Sequence, residues 1–396
     1  MKYNFEKRVD RKNTGSFKWA AVERSEFDQP DYVTPFSVAD MEFENAPEIL
    51  SGLQNSLDHA VLGYTGPTDA YYNAIIHWMK RRHDWDIKKE WVVTTPGVVI
   101  ALNYLVEAYV KENEGVIILT PSYGPFFSAI KRNNSVVVES KLLSENGEYL
   151  VNFEELEALA KEENNTCMIL CSPHNPTGKV FSKEELIRIA DICFENHVQL
   201  IVDEIHHDII MAGYKHTVLA SISEKYADMV VTCTSCSKTF NLAGLQVSNI
   251  IIKNEELRSR FNVALNHGGL HGLNALAYKA CEFAYNDAEA WLDECLSVIN
   301  GNKEYLKETL KEKMPEVTCS DIQGTYLAWL SFEAFDADDE ELDRIAKKHH
   351  LFFSSGVSFG KEGKKYERLN LACPRAVLKR GLADLYEMVK ELRVHE

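Results

Sequence analysis

Six short runs of β-branched and aliphatic residues most constrain what this chain can become. They are GVIILT (115–120), SVVVES (135–140), TCMILCS (166–172), VQLIVDE (198–204), DMVVTC (228–233) and SNIIIK (248–253). Each is apolar at consecutive positions rather than alternate ones, which suits strands buried on both faces. Helical patterns fill the gaps between them. Across 98–112, Ala101, Leu102, Leu105, Ala108 and Tyr109 fall on one helical face. In SKEELIRIADICFENH, Ser182 and Glu185 have the spacing of a capping box, and Leu186, Ile189, Ala190 and Cys193 share a face. This repetition predicts an α/β fold, a mostly parallel sheet between helices.

The last hundred residues change character. A charged helical stretch (DAEAWLDECLSVINGNKEYLKETLKEK) leads to GTYLAWLSF, an acidic helix around DADDEELDRIAKKHH, and ERLNLACPR. The expected organisation is a large α/β domain over 46–289 and a smaller α+β domain over 290–396. Residues 1–45, irregular and aromatic-rich, read as an arm that contributes to the smaller domain.

Bulk properties narrow the partners. With 43 basic and 60 acidic residues the net charge is −17, which disfavours nucleic acid and anionic membrane surfaces. The basic run KRRH (80–83) is short and reads as a solvated helix face. Nine cysteines follow no disulfide framework, and the start has no apolar leader, so a cytoplasmic protein with reduced thiols is expected. The CTSC pair, Cys233 and Cys236, has no second pair to complete a zinc site and reads as core packing.

In an open parallel sheet, ligands bind beyond the carboxyl ends of the strands. The residues just past each run are therefore the candidates for a site. They include Tyr123 after GVIIL, Asn175 in SPHNPTG, Asp203 after VQLIV, and Lys238 in TSCSKTFNLAGLQ. Separations of 28 residues (175 to 203) and 35 (203 to 238) each fit about one strand–helix unit. DEIHH invites a metal reading, but it lacks the H-E-x-x-H spacing and a third ligand cluster, so no metal is expected. Together the four side chains fit pyridoxal 5'-phosphate. A desolvated lysine amine condenses with the coenzyme aldehyde, and a carboxylate keeps the pyridine nitrogen protonated. An amide meets the ring oxygen and a phenol stacks on the ring. Gly97 and the helix start after it would receive the phosphate, with Ser235 adding a hydroxyl.

VDEIHHDI, SKTFNLAGLQ and SPHNPTGKVFSKEEL resemble the fold-type I, aspartate-aminotransferase-like pyridoxal-phosphate enzymes. Within them the chain is most similar to the MalY/PatB-type cystathionine β-lyases (C–S lyases). FSVADMEFENAP, GYTGPTDAYYNAIIHWMKRRHDW, PGVV, PSYGPF, SSGVSFG and RLNLACPR extend the likeness along the chain. The resemblance implies the fold-type I transferase fold and α,β-elimination of cystathionine, cystine or an S-substituted cysteine. It implies Lys238 as the coenzyme-bearing lysine, Asp203 at the pyridine nitrogen, Asn175 at the ring oxygen and near substrate, and Tyr123 on the ring, with Lys238, Asp203 and Tyr123 catalytic and the leaving sulfur's proton supplied by Lys238 or a nearby phenol. Gly97, Val98, Ser235 and Ser237 would surround the phosphate. Tyr64 would reach the phosphate of a neighbouring subunit, which implies a homodimer with shared sites. Arg375 would hold the substrate carboxylate as a bidentate fork.

Three positions depart from aminotransferases or lyases of this fold. Gln246 stands where an arginine is usual, eight residues after the lysine. His206 stands where a tyrosine is usual and is counted among the coenzyme-binding residues. Cys236 replaces the small residue or proline often found before SK. Two alternatives stay open: a class I/II aminotransferase, and a regulatory protein of the same fold acting through its surface.

Overall fold

The computed structural model describes residues 1–145 and 147–394. In chain order its strands are β1 (Val92–Thr95), β2 (Gly115–Thr120), β3 (Val136–Lys141), a hairpin of β4 (Leu143–Glu145) and β5 (Glu148–Leu150), β6 (Asn165–Cys171), β7 (Gln199–Asp203), β8 (Val230–Thr234), β9 (Ser248–Ile251), β10 (Thr318–Cys319), β11 (Leu327–Ser331), β12 (Ser354–Ser355) and β13 (Tyr366–Asn370). Among the described residues, seven of these form one sheet in the order β1-β9-β8-β7-β6-β2-β3. The six apolar runs became β2, β3, β6, β7, β8 and β9. Asp228 and Met229 of DMVVTC instead end the helix Glu224–Met229.

Consecutive side chains in the central strands enter opposite cores. Ile117, Leu119, Met168, Leu170, Leu200 and Val202 pack on one side of the sheet. Val116, Ile118, Cys167, Ile169 and Ile201 pack on the other. Each buried aliphatic side chain of this kind stabilises by about 1.5–3 kcal/mol, which is why the runs are continuous. The helices are set by their caps. Ser182 accepts from Glu185 N–H and the Glu185 carboxylate accepts from Ser182 N–H, so the expected capping box opens Lys183–Glu195. The helix expected over 98–112 is Val98–Tyr109.

The sheet is mostly parallel, as expected, but two of its features are not visible in the apolar runs. β9 runs antiparallel to both β8 and β1. The segment joining β8 to β9 holds only the helix Cys236–Thr239 and a 3-10 turn, Ala243–Leu245. That segment does not climb back along the sheet, so the next strand starts at the edge where the last one ended. β1 lacks an apolar run: Val93 and Thr94 are only half-buried, and β9 secures it from Val92↔Ile251 to Thr95↔Ser248.

Among the described residues, a second sheet has the order β10-β11-β13-β12, all antiparallel. The helices Glu289–Lys313 and Arg375–Val394 pack together beside it. Segment 36–42 lies against this sheet and the chain just after it. Phe36 N–H donates to Phe352 O, Asn370 N–H to Phe36 O, and Glu42 N–H to Ala372 O. Among the described residues no helix is long and apolar enough to cross a membrane.

Candidate active site

Because β2, β6, β7 and β8 are parallel neighbours, their carboxyl ends meet on one edge. Cys171 lies beside Asp203, and Asp203 beside Cys233. A cavity of about 280 Å³ opens there, lined among others by Gly97, Val98, Tyr123, Asn175, Asp203, His206, Ser237 and Lys238. Eight residues named from sequence therefore share one wall. Ser235, Tyr64 and Arg375 do not line it.

Lys238 rides on the short helix Cys236–Thr239. Ser235 caps this helix by accepting from Ser237 N–H at 2.9 Å. The Lys238 ammonium donates to Ala39 O at 2.6 Å, and Ala39 O also accepts from Tyr326 OH at 2.9 Å. Burial pushes the Lys238 pKa down to about 8; Arg368 and Lys18 add to this, while Asp40 and Asp203 oppose it. A lysine in this state holds a usable fraction of free amine near neutrality.

Asp203 is 3 % exposed. Burial pushes its carboxyl up to about 7, against the Ile205 N–H bond (3.1 Å) and the Lys238 charge. A protonated nitrogen placed opposite would keep the carboxylate charged. His206, which follows in the same loop, is buried and neutral. Burial first, then Lys238 and Arg368, holds its pKa well below the ordinary histidine value. Its Nδ1 has no hydrogen-bond partner among the described residues.

The phosphate end is shaped by Gly97. Its φ of +99° belongs to glycine, and no atom lies within 4 Å of where a β-carbon would stand. Open space thus meets the first N–H groups of Val98–Tyr109, the helix end that attracts anions. Ser237 lines this space. Ser235 stands one layer back, fully buried, where it donates to Val247 O at 2.6 Å. Gln246, in the left-handed region at φ +51°, is also on the wall. Covalent anchor, buried carboxylate and open helix start are the three features that pyridoxal 5'-phosphate needs, and the residues fit it.

Arg375 lies elsewhere. It begins the helix Arg375–Val394, donates Nε to Asn302 Oδ1 at 2.7 Å and stacks its guanidinium 4.9 Å from the Tyr305 ring. Arg368 does not line the cavity either, but it is bonded to Asn175, which does. It is 5 % exposed, and it donates Nη1 to Asn175 Oδ1 at 2.9 Å and Nη2 to Ser354 Oγ at 3.1 Å. The sequence carried a signal for it: on β13, Arg368 and Asn370 occupy one face by the two-residue period, and a strand-borne arginine between Glu367 and Leu369 must find buried partners. Tyr64 is fully exposed and lines a separate cavity of about 910 Å³ with 62–66 and 271–276.

The family described as aminotransferase class I and II matches residues 32–385. The chain is 38% identical to cystathionine beta-lyase PatB of Bacillus subtilis (strain 168), over 96% of this chain and 98% of the relative. It is 33% identical to protein MalY of Escherichia coli (strain K12), over 99% of this chain and 100% of the relative. The crystal structure of cystalysin from Treponema denticola, which contains a pyridoxal 5'-phosphate cofactor, superposes with a TM-score of 0.97 at 44% identity, over 99% of this chain and 100% of that one. With the geometry above, these likenesses fix the assignment: the chain belongs to the class I and II aminotransferase family and, within it, to the MalY/PatB group of C–S lyases.

Proposed function

We propose that the protein is a pyridoxal 5'-phosphate-dependent C–S β-lyase. It converts cystathionine, cystine or an S-substituted cysteine, with one water, into a thiol, pyruvate and ammonia. The observation that carries this reading is the pair Lys238 and Asp203 on one cavity that opens at Gly97. The likeness to PatB, a cystathionine beta-lyase, supports the lyase over the aminotransferase.

When bound, the coenzyme withdraws the electron pair released at the substrate Cα. The chain's residues arrange that chemistry. Asp203 holds the proton on the ring nitrogen, and Asn175 donates to the ring oxygen. Tyr123 covers one ring face. The N–H groups after Gly97, with the Ser237 hydroxyl, hold the phosphate, and its charge rests on them because Gln246 brings no cation. Lys238, as a free amine, would take the Cα proton and return a proton to the departing sulfur. Arg368 takes the substrate carboxylate; Asn175 and Ser354 already fix the plane of its fork.

Arg368→Ala is expected to lower kcat/KM by about 10²–10³-fold, since losing one partner of a buried charged pair costs several kcal/mol. Arg375→Ala should stay within about fivefold. Equal losses in steady-state assays would return the carboxylate to Arg375.

A second copy is the expected partner. Val61, Leu62 and Tyr64 are 93%, 70% and 112% exposed, an apolar stretch that a homodimer would cover while Tyr64 reaches the neighbour's phosphate. All nine cysteines are free thiols, eight of them buried, which supports a cytoplasmic location. Residues 1–45, 46–289 and 290–396 are proposed as arm, coenzyme-binding domain and smaller domain.

The test is product analysis on the purified holoenzyme. With L-cystathionine, pyruvate and thiol should appear in equal amounts. Glutamate from an amino acid plus 2-oxoglutarate, without pyruvate from cystathionine, would make it an aminotransferase.

A further inference from the structure

The histidines of DEIHHDI are only partly used by the site described so far. His206 faces the cavity, whereas His207 and Asp208 turn away into a buried cluster with His83 and His216. Asp208 is its hub, with no side-chain exposure. Its Oδ1 accepts from His83 Nε2 at 2.8 Å and from Trp78 Nε1 at 3.1 Å. Its Oδ2 accepts from Thr239 Oγ1 at 2.8 Å. His207 Nε2 stands 3.4 Å from the same oxygen. Donor atoms of His83, His207 and Asp208 lie within 4.8 Å of one another, the donor types of a cation site. Yet Thr239, Trp78 and His83 already fill the Asp208 oxygens, so the group works as a hydrogen-bond hub.

The hub's position in the chain gives it a consequence at the cavity. Asp208 closes the loop that starts at Asp203, and Thr239 is the residue after Lys238. The helix carrying Lys238 has four residues, and Phe240 N–H to Cys236 O and Leu242 N–H to Ser237 O, each at 2.9 Å, close its end. So short a helix does not hold its own shape. Ser235 tethers its start, and Thr239 tethers its end to Asp208. Trp78 and His83 anchor that carboxylate to the 15-residue helix Asp69–His83.

We propose that Asp208, acting through the Thr239 hydroxyl, is a positioning residue that fixes Lys238 relative to Asp203. The proposal rests on the lyase reading above. The carboxylate is suited to the task because it stays charged: burial alone would raise its pKa, but His207 and His83 hold it well below the usual carboxylate range. A charged acceptor makes a shorter, stronger bond to a hydroxyl than a neutral one. Removing that donor leaves a buried charge one hydrogen bond short while preserving the rest of the hub.

Truncating Asp208 itself strands three donors and endangers folding, so the test is made at Thr239. Thr239→Val keeps the branched shape and removes only the hydroxyl; Thr239→Ser restores it. Four quantities are measured on the holoenzymes: kcat and KM for pyruvate release from cystathionine, the pH midpoint at which the bound coenzyme's absorption band changes, and the melting temperature. The valine variant is expected to lose about tenfold in kcat with KM within about threefold, and to move the absorption midpoint by about half a pH unit. Its melting temperature should stay within a few degrees, and serine should return both kcat and midpoint to near the parent values. A valine variant with the parent's kcat and midpoint would overturn the proposal, and so would a serine variant that restores neither. The midpoint is read whether or not pyruvate forms, so a parent enzyme without lyase activity would sink the functional reading separately from this one.

Discussion

Lys238→Ala is expected to lower kcat for pyruvate release by about 10³-fold or more while the folded protein still takes up coenzyme weakly. Proton transfer by a placed side chain contributes about 10²–10⁴-fold, and the proposed mechanism gives one amine both the Cα proton and the leaving sulfur. Its environment is tuned for this. With a pKa near 8, about a tenth of the amine is unprotonated at pH 7, against less than about a thousandth for an ordinary lysine. Asp203, Asn175 and the Gly97 helix start remain to bind coenzyme, so occupancy becomes reversible rather than nil. Two measurements decide it: steady-state assay, and retention of coenzyme after borohydride treatment and dialysis. The parent should keep the coenzyme and the variant lose it. A variant that turns over cystathionine at near the parent rate would remove Lys238 from the chemistry.

The sequence disclosed this edge of the molecule well because the sheet there is parallel. Residues at or just past the ends of β2, β6, β7 and β8 must emerge together, so Tyr123, Asn175, Asp203 and Lys238 could be grouped from strand ends alone. Contacts that join distant segments were harder to read. Arg368 meets Asn175 across 193 residues of chain, and RLNLACPR offers two arginines seven residues apart. Only the pairing of β13 with β11 and β12 decides which one faces inward. Likewise, the carbonyl of Ala39 meets Lys238 because segment 36–42 crosses between the two sheets, a contact no local pattern encodes. β1 went unread because half of it is only half-buried, and β9 reversed direction because its connection is wound around the site instead of along the sheet.

Asp203→Asn should separate function from stability. Activity is expected to fall by about 10²–10³-fold, because a neutral amide no longer holds the ring nitrogen protonated. Coenzyme-free protein should respond in the opposite direction. The carboxyl's pKa rises from its ordinary 3.8 to about 7 on folding, chiefly by burial. Between those values the folded state keeps a proton that the unfolded chain has lost, so stability falls as pH rises. The cost is absent below about pH 4 and complete above about pH 7, where it amounts to about 4 kcal/mol. Asparagine carries no such charge, and its Oδ1 can still accept from Ile205 N–H. Melting curves of the coenzyme-free proteins should therefore coincide near pH 4 and separate by several degrees in favour of the Asp203→Asn variant by about pH 7.5. Saturating coenzyme should erase or reverse the gap at that higher pH, because a ring N–H then partners the carboxylate and not the amide. A gap independent of pH, or one unchanged by coenzyme, would mean that position 203 does not carry a buried charge awaiting the ring. The destabilised apo site is thus what makes the coenzyme a structural ligand as well as a chemical one: its binding free energy offsets the cost of keeping Asp203 ionised in a dry wall.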